Sequence, residues 1–326
     1  MINIIFIINP YELFRDRMDK NIFRRTMAIS KLVNCSLLIP RRDFYIHEDI
    51  NSILSRYFKP NCQNIVVMQF RAIDADFNCV SNLDKCPIPK VWLDEDFFMH
   101  VNKHSFLIEK FNINAICCRY KNDINLYNNK LCYSFYINHA IDKNLRHDIK
   151  VNKDIDLLFY GSASRRNFPF RHRIYELLKN YKDPDLNIAV INHPGYIKNT
   201  HKHNDNNIII DDKLTYAINK SWMTFLDGGK MSNMFLKYIE VPACASVMCG
   251  TMPEEAPNTF KKNYIHLDPS WNNLKIINTI KEALSNKKKL QKMIKHNYEE
   301  VHNNFTLNNF AIKLNSKLTE LFDDKG

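Results

Sequence analysis

The sequence predicts a two-domain α/β protein with parallel sheets. Three observations lead there. Short apolar, β-branched runs recur along the whole chain, longer segments of helical periodicity separate them, and one polar stretch divides the pattern into halves of about six strands each. Runs that are apolar throughout, rather than alternating, are what a parallel sheet covered on both faces requires.

In the first half the strands are expected at residues 4–8, 36–39, 65–70, 91–93, 115–118 and 133–137. In the second they are expected at 155–160, 188–191, 208–210, 222–226, 245–249 and 264–266. Residues 142–154 are polar, rich in charge and without periodicity, so they read as a linker. The boundary is placed near Lys150, giving domains 1–150 and 151–326. After Tyr264 the pattern turns helical, over 274–284, 288–302 and a last amphipathic segment opened by Thr306 and carrying Phe310, Ile312, Leu314, Leu318 and Leu321.

Composition narrows the class. The 326 residues are 45% hydrophobic and 25% charged, which excludes a disordered or collagen-like chain. No run approaches the roughly 20 apolar residues of a membrane span, and the opening M-I-N-I-I-F-I-I-N-P lacks the basic flank of a signal peptide, so a cytoplasmic protein is expected. Nine cysteines, an odd number without a C-x-x-C pair, read as reduced core thiols. The net charge of +11 permits an anionic partner, nucleic acid or nucleoside diphosphate. The basic residues are scattered rather than interleaved with aromatics on one face, which disfavours nucleic acid. The Lys287-Lys288-Lys289 run reads as a solvated helix face.

Glycine is scarce and placed with a pattern. None of the six precedes Gly161, which excludes a glycine-rich phosphate loop from the first half. Gly161, Gly195, Gly228, Gly229 and Gly250 each follow the end of an expected strand and so mark one rim of the second sheet. Ligands of open parallel sheets bind at that rim, where helix N-termini offer unpaired N–H groups. Directly after Gly161 come Ser162, Ser164, Arg165 and Arg166, whose hydroxyls and guanidinium forks suit phosphate oxygens; Arg171 and Arg173, deeper in the next helix, read as structural or surface residues.

The segment K-M-S-N-M-F-L-K-Y-I-E-V-P-A-C-A-S-V-M-C-G, residues 230–250, resembles the donor-binding motif of GT-B glycosyltransferases. It is most similar to the group 1 family and its spore-protein CgeB-like branch. F-Y-G-S-A-S-R-R and N-H-P-G-Y fit the same pattern, which covers most of residues 155–305. The resemblance implies two Rossmann-like domains facing across a cleft, with a final helix crossing back to the first. It implies a metal-independent enzyme that moves a sugar from a nucleoside-diphosphate sugar, its co-substrate, to a hydroxyl of a glycan or other acceptor. No cofactor is expected. On this reading Glu240 accepts from the donor ribose, Lys237 is the basic residue of the motif, and His193, Ser232 and Asn233 complete the donor side. Ser232 stands where many group 1 members have a Glu.

The acceptor base is expected from the first half, where Asp94, Asp96 and His139 follow strands; Asp74, Asp76 and His100 are further polar residues there. Two readings compete. The tripeptides Asp74-Ala75-Asp76 and Asp94-Glu95-Asp96 allow a GT-A enzyme that holds a divalent cation. Ser232 allows a sugar-nucleotide-binding module that does not transfer. Glu254 and Glu255 lie too far along to take the place of the missing Glu, and His201 with His203 makes too small a set for a metal.

Overall fold

The structure is a computed structural model that describes residues 1–8, 20–31, 34–70, 77–93, 101–127, 132–193, 209 and 211–322. Two compact units emerge: Met1–Asn138 together with Leu307–Gly326, and His139–Thr306.

The first unit is built on a six-stranded parallel sheet in the order β2-β1-β4-β6-β7-β8. Its strands are β1 (Ile2–Ile8), β2 (Cys35–Leu38), β4 (Gln63–Gln69), β6 (Lys90–Leu93), β7 (Ala115–Cys118) and β8 (Tyr133–Tyr136). Every residue of β1 is buried, as its sequence I-N-I-I-F-I-I requires of a strand covered on both faces. Asn3 is the polar exception; its Nδ2 donates to Asn64 Oδ1 at 2.7 Å and to Tyr57 O at 3.0 Å, while its Oδ1 has no hydrogen-bond partner among the described residues. The helices are α1 (Lys20–Ser30), α2 (Ile50–Tyr57), α3 (Val101–Lys110) and α4 (Ile124–Tyr127). Asp49 caps α2 by accepting from Asn51 N. One small parallel pair, β3 (Glu48–Asp49) with β5 (Val80–Ser81), had no sequence signal, being too short and polar for periodicity to register.

The second unit carries a five-stranded parallel sheet in the order β10-β9-β11-β12-β13. These are β9 (Ile155–Gly161), β10 (Ile188–Asn192), β11 (Ser221–Leu226), β12 (Val247–Gly250) and β13 (Ile265–His266). Alternation along the strands divides the core in two. Leu157, Phe159, Met223, Phe225 and Val247 pack on one face against Phe170, Ile174, Ile277 and Leu290. Leu158, Tyr160, Leu226 and Met248 pack on the other against Ile218, Tyr238, Ile239 and Val301. The covering helices are α5 (Pro169–Asn180), α6 (Asp211–Asn219), α7 (Lys237–Ala243), α8 (Asn258–Lys262), α9 (Asn273–Ser285) and α10 (Lys287–Asn304). Pro169 opens α5 at a position where no N–H is needed, and Asn272 and Asn286 cap α9 and α10.

Strands 155–161, 188–192 and 221–226 lie where the sequence put them, each within a residue or two; of the expected strand 208–210, Ile209 carries none and its two neighbours fall outside the described residues. The break between units falls at Asn138, not near Lys150. The polar stretch read as a linker is held by the second unit instead. Ile141 N donates to Phe305 O at 2.9 Å, Ile149 N to Asn219 Oδ1 at 3.0 Å, and Lys153 Nζ to the carbonyls of Asn219 and Ser221 at 2.8 and 2.9 Å. Its polarity serves those bonds rather than solvent. The last helix, α11 (Leu307–Phe322), belongs to the first unit and packs on α1, with Arg25 and Arg119 over the Phe310 ring at 5.3 and 4.5 Å. None of the nine cysteines forms a disulfide. Among the described residues no helix is long and apolar enough to cross a membrane.

Candidate functional site

Strand order locates the site. In the second sheet the chain runs from β9 outward to β10 and then returns to the other side of β9 as β11, so the order reverses between β9 and β11. At such a switch point the connections leave on opposite faces and open a crevice at the carboxyl ends. Those ends are Gly161 and Asp227-Gly228-Gly229.

Arg171 joins the two strand ends. It is buried, donates to Ser162 O at 3.4 Å and to Asp227 O, and stacks 4.2 Å over the Phe168 ring. Its reading as structural holds, but the structure it supports is the rim itself. Lys237, the first residue of α7, sends Nζ to Tyr160 O at 2.6 Å, with the Tyr160 ring centroid 4.2 Å away. Neither Lys237 nor Arg171 has an ion-pair partner among the described residues. Burial, and then the Arg171 charge, hold the Lys237 amine well below its ordinary pKa of 10.5. The rim thus carries two cations without a direct ion pair among the described residues, each drawn on only at a distance, Lys237 by the Glu240 carboxylate and Arg171 by that of Asp227.

Gly161 makes this arrangement possible. Its φ of +93° is a conformation that side chains strain to adopt, and a Cβ there would overlap the Lys237 amine. Gly161→Ala is expected to displace Lys237 and to cost donor affinity roughly tenfold or more, at a strain of about 1–3 kcal/mol. Calorimetric titration beside thermal unfolding checks both parts.

The turn after Gly161 holds Ser162 and Ser164 half-buried, whereas Arg165 and Arg166 are exposed on its outer bend. That bend is fixed by Phe168 N donating to Ser164 O at 2.8 Å and by Lys230 N donating to Asn167 O at 3.2 Å, which ties it to the loop after β11. In that loop Ser232 is exposed with φ +50°, and Asn233 is wholly buried with neither side-chain amide atom hydrogen-bonded among the described residues. Glu255 Oε1 accepts from Met234 N at 2.6 Å, so a carboxylate set aside on grounds of sequence distance is folded against this loop. Glu254 is exposed. Asp227 adds a buried carboxylate whose Oδ1 accepts from Thr251 Oγ1 at 3.1 Å and whose Oδ2 has no partner among the described residues.

Glu240 sits one helical turn beyond Lys237 and is buried. Its Oε1 accepts from Arg146 Nε at 3.0 Å and lies 2.9 Å from Nη2 in the same ion pair, and its Oε2 lies 3.5 Å from the Tyr160 hydroxyl. Burial opposes the Arg146 charge, but the Glu240 carboxylate outweighs it and the guanidinium pKa is raised. Burial and then the same carboxylate drive the Tyr160 hydroxyl well above its ordinary value, so Tyr160 stays a donor. Through Tyr160, Glu240 and Lys237 are attached to the end of β9, and the motif residues meet at one place. Arg146 escaped sequence reading because it lies in the supposed linker; the one usable signal was a lone Arg flanked by Leu145 and Ile149. A separate cavity of about 680 Å³, lined by Leu145, His147, Ile149, Ile209 and Tyr216, contains none of these rim residues.

His193, at the end of β10, is half-buried. His139 is buried and opens the second unit rather than closing the first, because the chain leaves the first sheet after β8. Asp74, Asp76, Asp94, Asp96, His100, Gly195, His201 and His203 lie outside the described residues. Among the described residues no group of three or more His, Cys, Asp or Glu is placed to hold a metal ion.

No protein-family model and no curated protein matches the chain. Solved structures do. Sucrose-phosphate synthase from Thermosynechococcus elongatus is 10% identical with a TM-score of 0.61, over 98% of this chain and 99% of that one. Anabaena HepE in complex with UDP-glucose is 10% identical with a TM-score of 0.62, over 98% and 100%. The chain has the GT-B fold. A glycosyltransferase from Rickettsia africae aligns equally fully, over 99% of both chains at 12% identity and a TM-score of 0.56. Two Rossmann-like units and closing helices are thus shared across the GT-B fold, at identities that carry architecture alone.

Proposed function

We propose that this GT-B chain is a glycosyltransferase that moves a sugar from a nucleoside-diphosphate sugar to a hydroxyl of a glycan or related acceptor. The second unit holds the donor and the first unit serves the acceptor. One observation carries the reading: the Lys237 amine lies against a left-handed glycine turn at the switch point, beside Arg171, with no carboxylate in direct ion pair with either among the described residues. A diphosphate supplies the missing negative charge.

The chemistry fits that site. As the glycosidic bond to the diphosphate breaks, charge builds on the leaving oxygens, and a fixed cation stabilises that charge more than it stabilises the ground state. Lys237, the Ser162 and Ser164 hydroxyls and the guanidinium groups of exposed Arg165 and Arg166 are the groups proposed to do so, without a metal ion or cofactor. Glu240 accepts from the ribose, as the group 1 and CgeB-like resemblance implies. HepE was solved with UDP-glucose, which makes uridine the first nucleotide to try. Asp94, Asp96 and His139 are the candidates for the acceptor base, and the cytoplasm, where nucleotide sugars are made, is the proposed location.

A thermal-shift screen against uridine, guanosine, adenosine and cytidine diphosphates tests the proposal. One of them is expected to raise the unfolding temperature selectively, because a ligand that binds only the folded state stabilises it. Indifference to all four contradicts the donor site. The second reading, a module that binds without transfer, is favoured by Ser232 at the place of the family's Glu; it predicts the same thermal shift with neither transfer nor donor hydrolysis.

A further inference from the structure

All three nitrogens of the Arg146 guanidinium are committed. Nε and Nη2 meet the same oxygen of Glu240, Oε1, while Nη1 donates to Asp211 O at 2.8 Å and to Thr215 Oγ1 at 2.7 Å, both on α6. Thr215 Oγ1 donates onward to Leu145 O at 2.9 Å, closing a loop back to the segment that carries Arg146. Only 5% of the Arg146 side chain and 8% of that of Glu240 are exposed. A planar fork held at both ends pins the single carboxylate oxygen it grips more firmly than a lysine point charge would, and leaves the other oxygen unoccupied by it. Oε2 is left with the long Tyr160 contact alone. A buried ion pair adds little net stability compared with apolar side chains of the same volume, so the arrangement points to orientation.

We infer that Arg146 is a positioning residue that, by occupying Oε1, presents Oε2 of Glu240 to the donor ribose and thereby sets the preference for ribonucleotides over deoxyribonucleotides. The inference rests on the donor role proposed for Glu240. Arg146 is assigned no contact with nucleotide or sugar; it acts through the carboxylate oxygen it occupies.

The test is a ratio of affinities. The dissociation constants of uridine diphosphate and 2′-deoxyuridine diphosphate are measured by calorimetry for the full chain and for Arg146→Lys, using another base and its deoxy counterpart if the thermal screen selects one. The native chain is expected to favour the ribonucleotide about tenfold or more, the worth of one hydrogen bond to a charged acceptor. In Arg146→Lys that ratio falls towards unity while the deoxynucleotide binds as before. A purely structural role would weaken both ligands together and leave the ratio alone. If Arg146→Lys does not fold, Thr215→Val is measured instead; it removes a hydroxyl anchor of Nη1, keeps the ion pair, and should lower the ratio in the same direction. A folded variant with an unchanged ratio, or a native chain that binds both nucleotides equally, overturns the inference. A native chain that binds no nucleoside diphosphate overturns the donor reading itself.

Discussion

Lys237→Met is expected to abolish most donor binding and transfer while leaving the protein as stable as before or more so. Removing one fixed donor from a site where charge develops costs about 10²–10³ in rate, roughly 3–4 kcal/mol. Stability should move the other way. The Lys237 amine is buried against a peptide carbonyl and a second cation, so its charge is destabilising in the empty site, and methionine fills similar space without it. Steady-state kinetics beside thermal unfolding separates this from ordinary damage to the fold. Loss of stability and activity together would make Lys237 a structural residue.

The same lysine gives a pH signature. Its folded pKa lies below the 10.5 of the unfolded chain, so the unfolded state binds more protons between those values. The empty protein should therefore gain stability as pH rises through that window and lose it as pH falls towards the lowered value. A bound diphosphate reverses the environment and restores the proton. Donor binding is thus expected to take up a proton at pH values above the lowered pKa of Lys237, and to weaken as pH rises there. Calorimetry in two buffers of different ionisation enthalpy counts that proton.

Glu240→Ala has the second large expected effect, and it falls on folding. The substitution leaves the Arg146 guanidinium in place, still bonded to α6 but without its counter-charge, and breaking one side of a buried pair costs about 3–5 kcal/mol. Denaturant unfolding should show the loss. Replacing both residues, with Arg146→Met and Glu240→Leu together, should recover most of it, since two apolar side chains of that volume pack without a desolvation penalty. A double variant as unstable as the single one would show that the loss comes from packing around α7 rather than from the stranded charge. Alanine at Glu240 is accordingly a poor probe of ribose binding, and the milder Arg146→Lys is the better one.

The sheets were legible in the sequence because their strands are buried on both faces. I-N-I-I-F-I-I and D-L-L-F-Y leave no other reading, and the strands at 115–118 and 155–161 needed little or no adjustment. The glycine rim was legible for a related reason: in a chain with six glycines, those placed after strands stand out, and Gly161 has the positive φ that justifies it. The unit boundary was not legible. The segment around Arg146 looks like a linker because its polar groups bond to carbonyls and side chains far away in sequence, at Asn219, Asp211 and Glu240, and nothing local records them. Glu255 was set aside for the same reason, although folding brings it against Met234 N. Local pattern reports what a residue buries against its own strand or helix. It is silent on long-range polar partners, and these decide the shape of the rim.

The most direct measurement is a calorimetric titration of the full chain with the nucleoside diphosphate chosen by thermal shift, run in parallel on Lys237→Met. If the second unit's rim holds a diphosphate against the Lys237 amine, the native chain binds one equivalent, with uptake of a proton at pH values above the lowered pKa of Lys237, and the variant loses the affinity and any such proton. Equal affinity and equal proton count in the two proteins would place the nucleotide elsewhere and contradict the account.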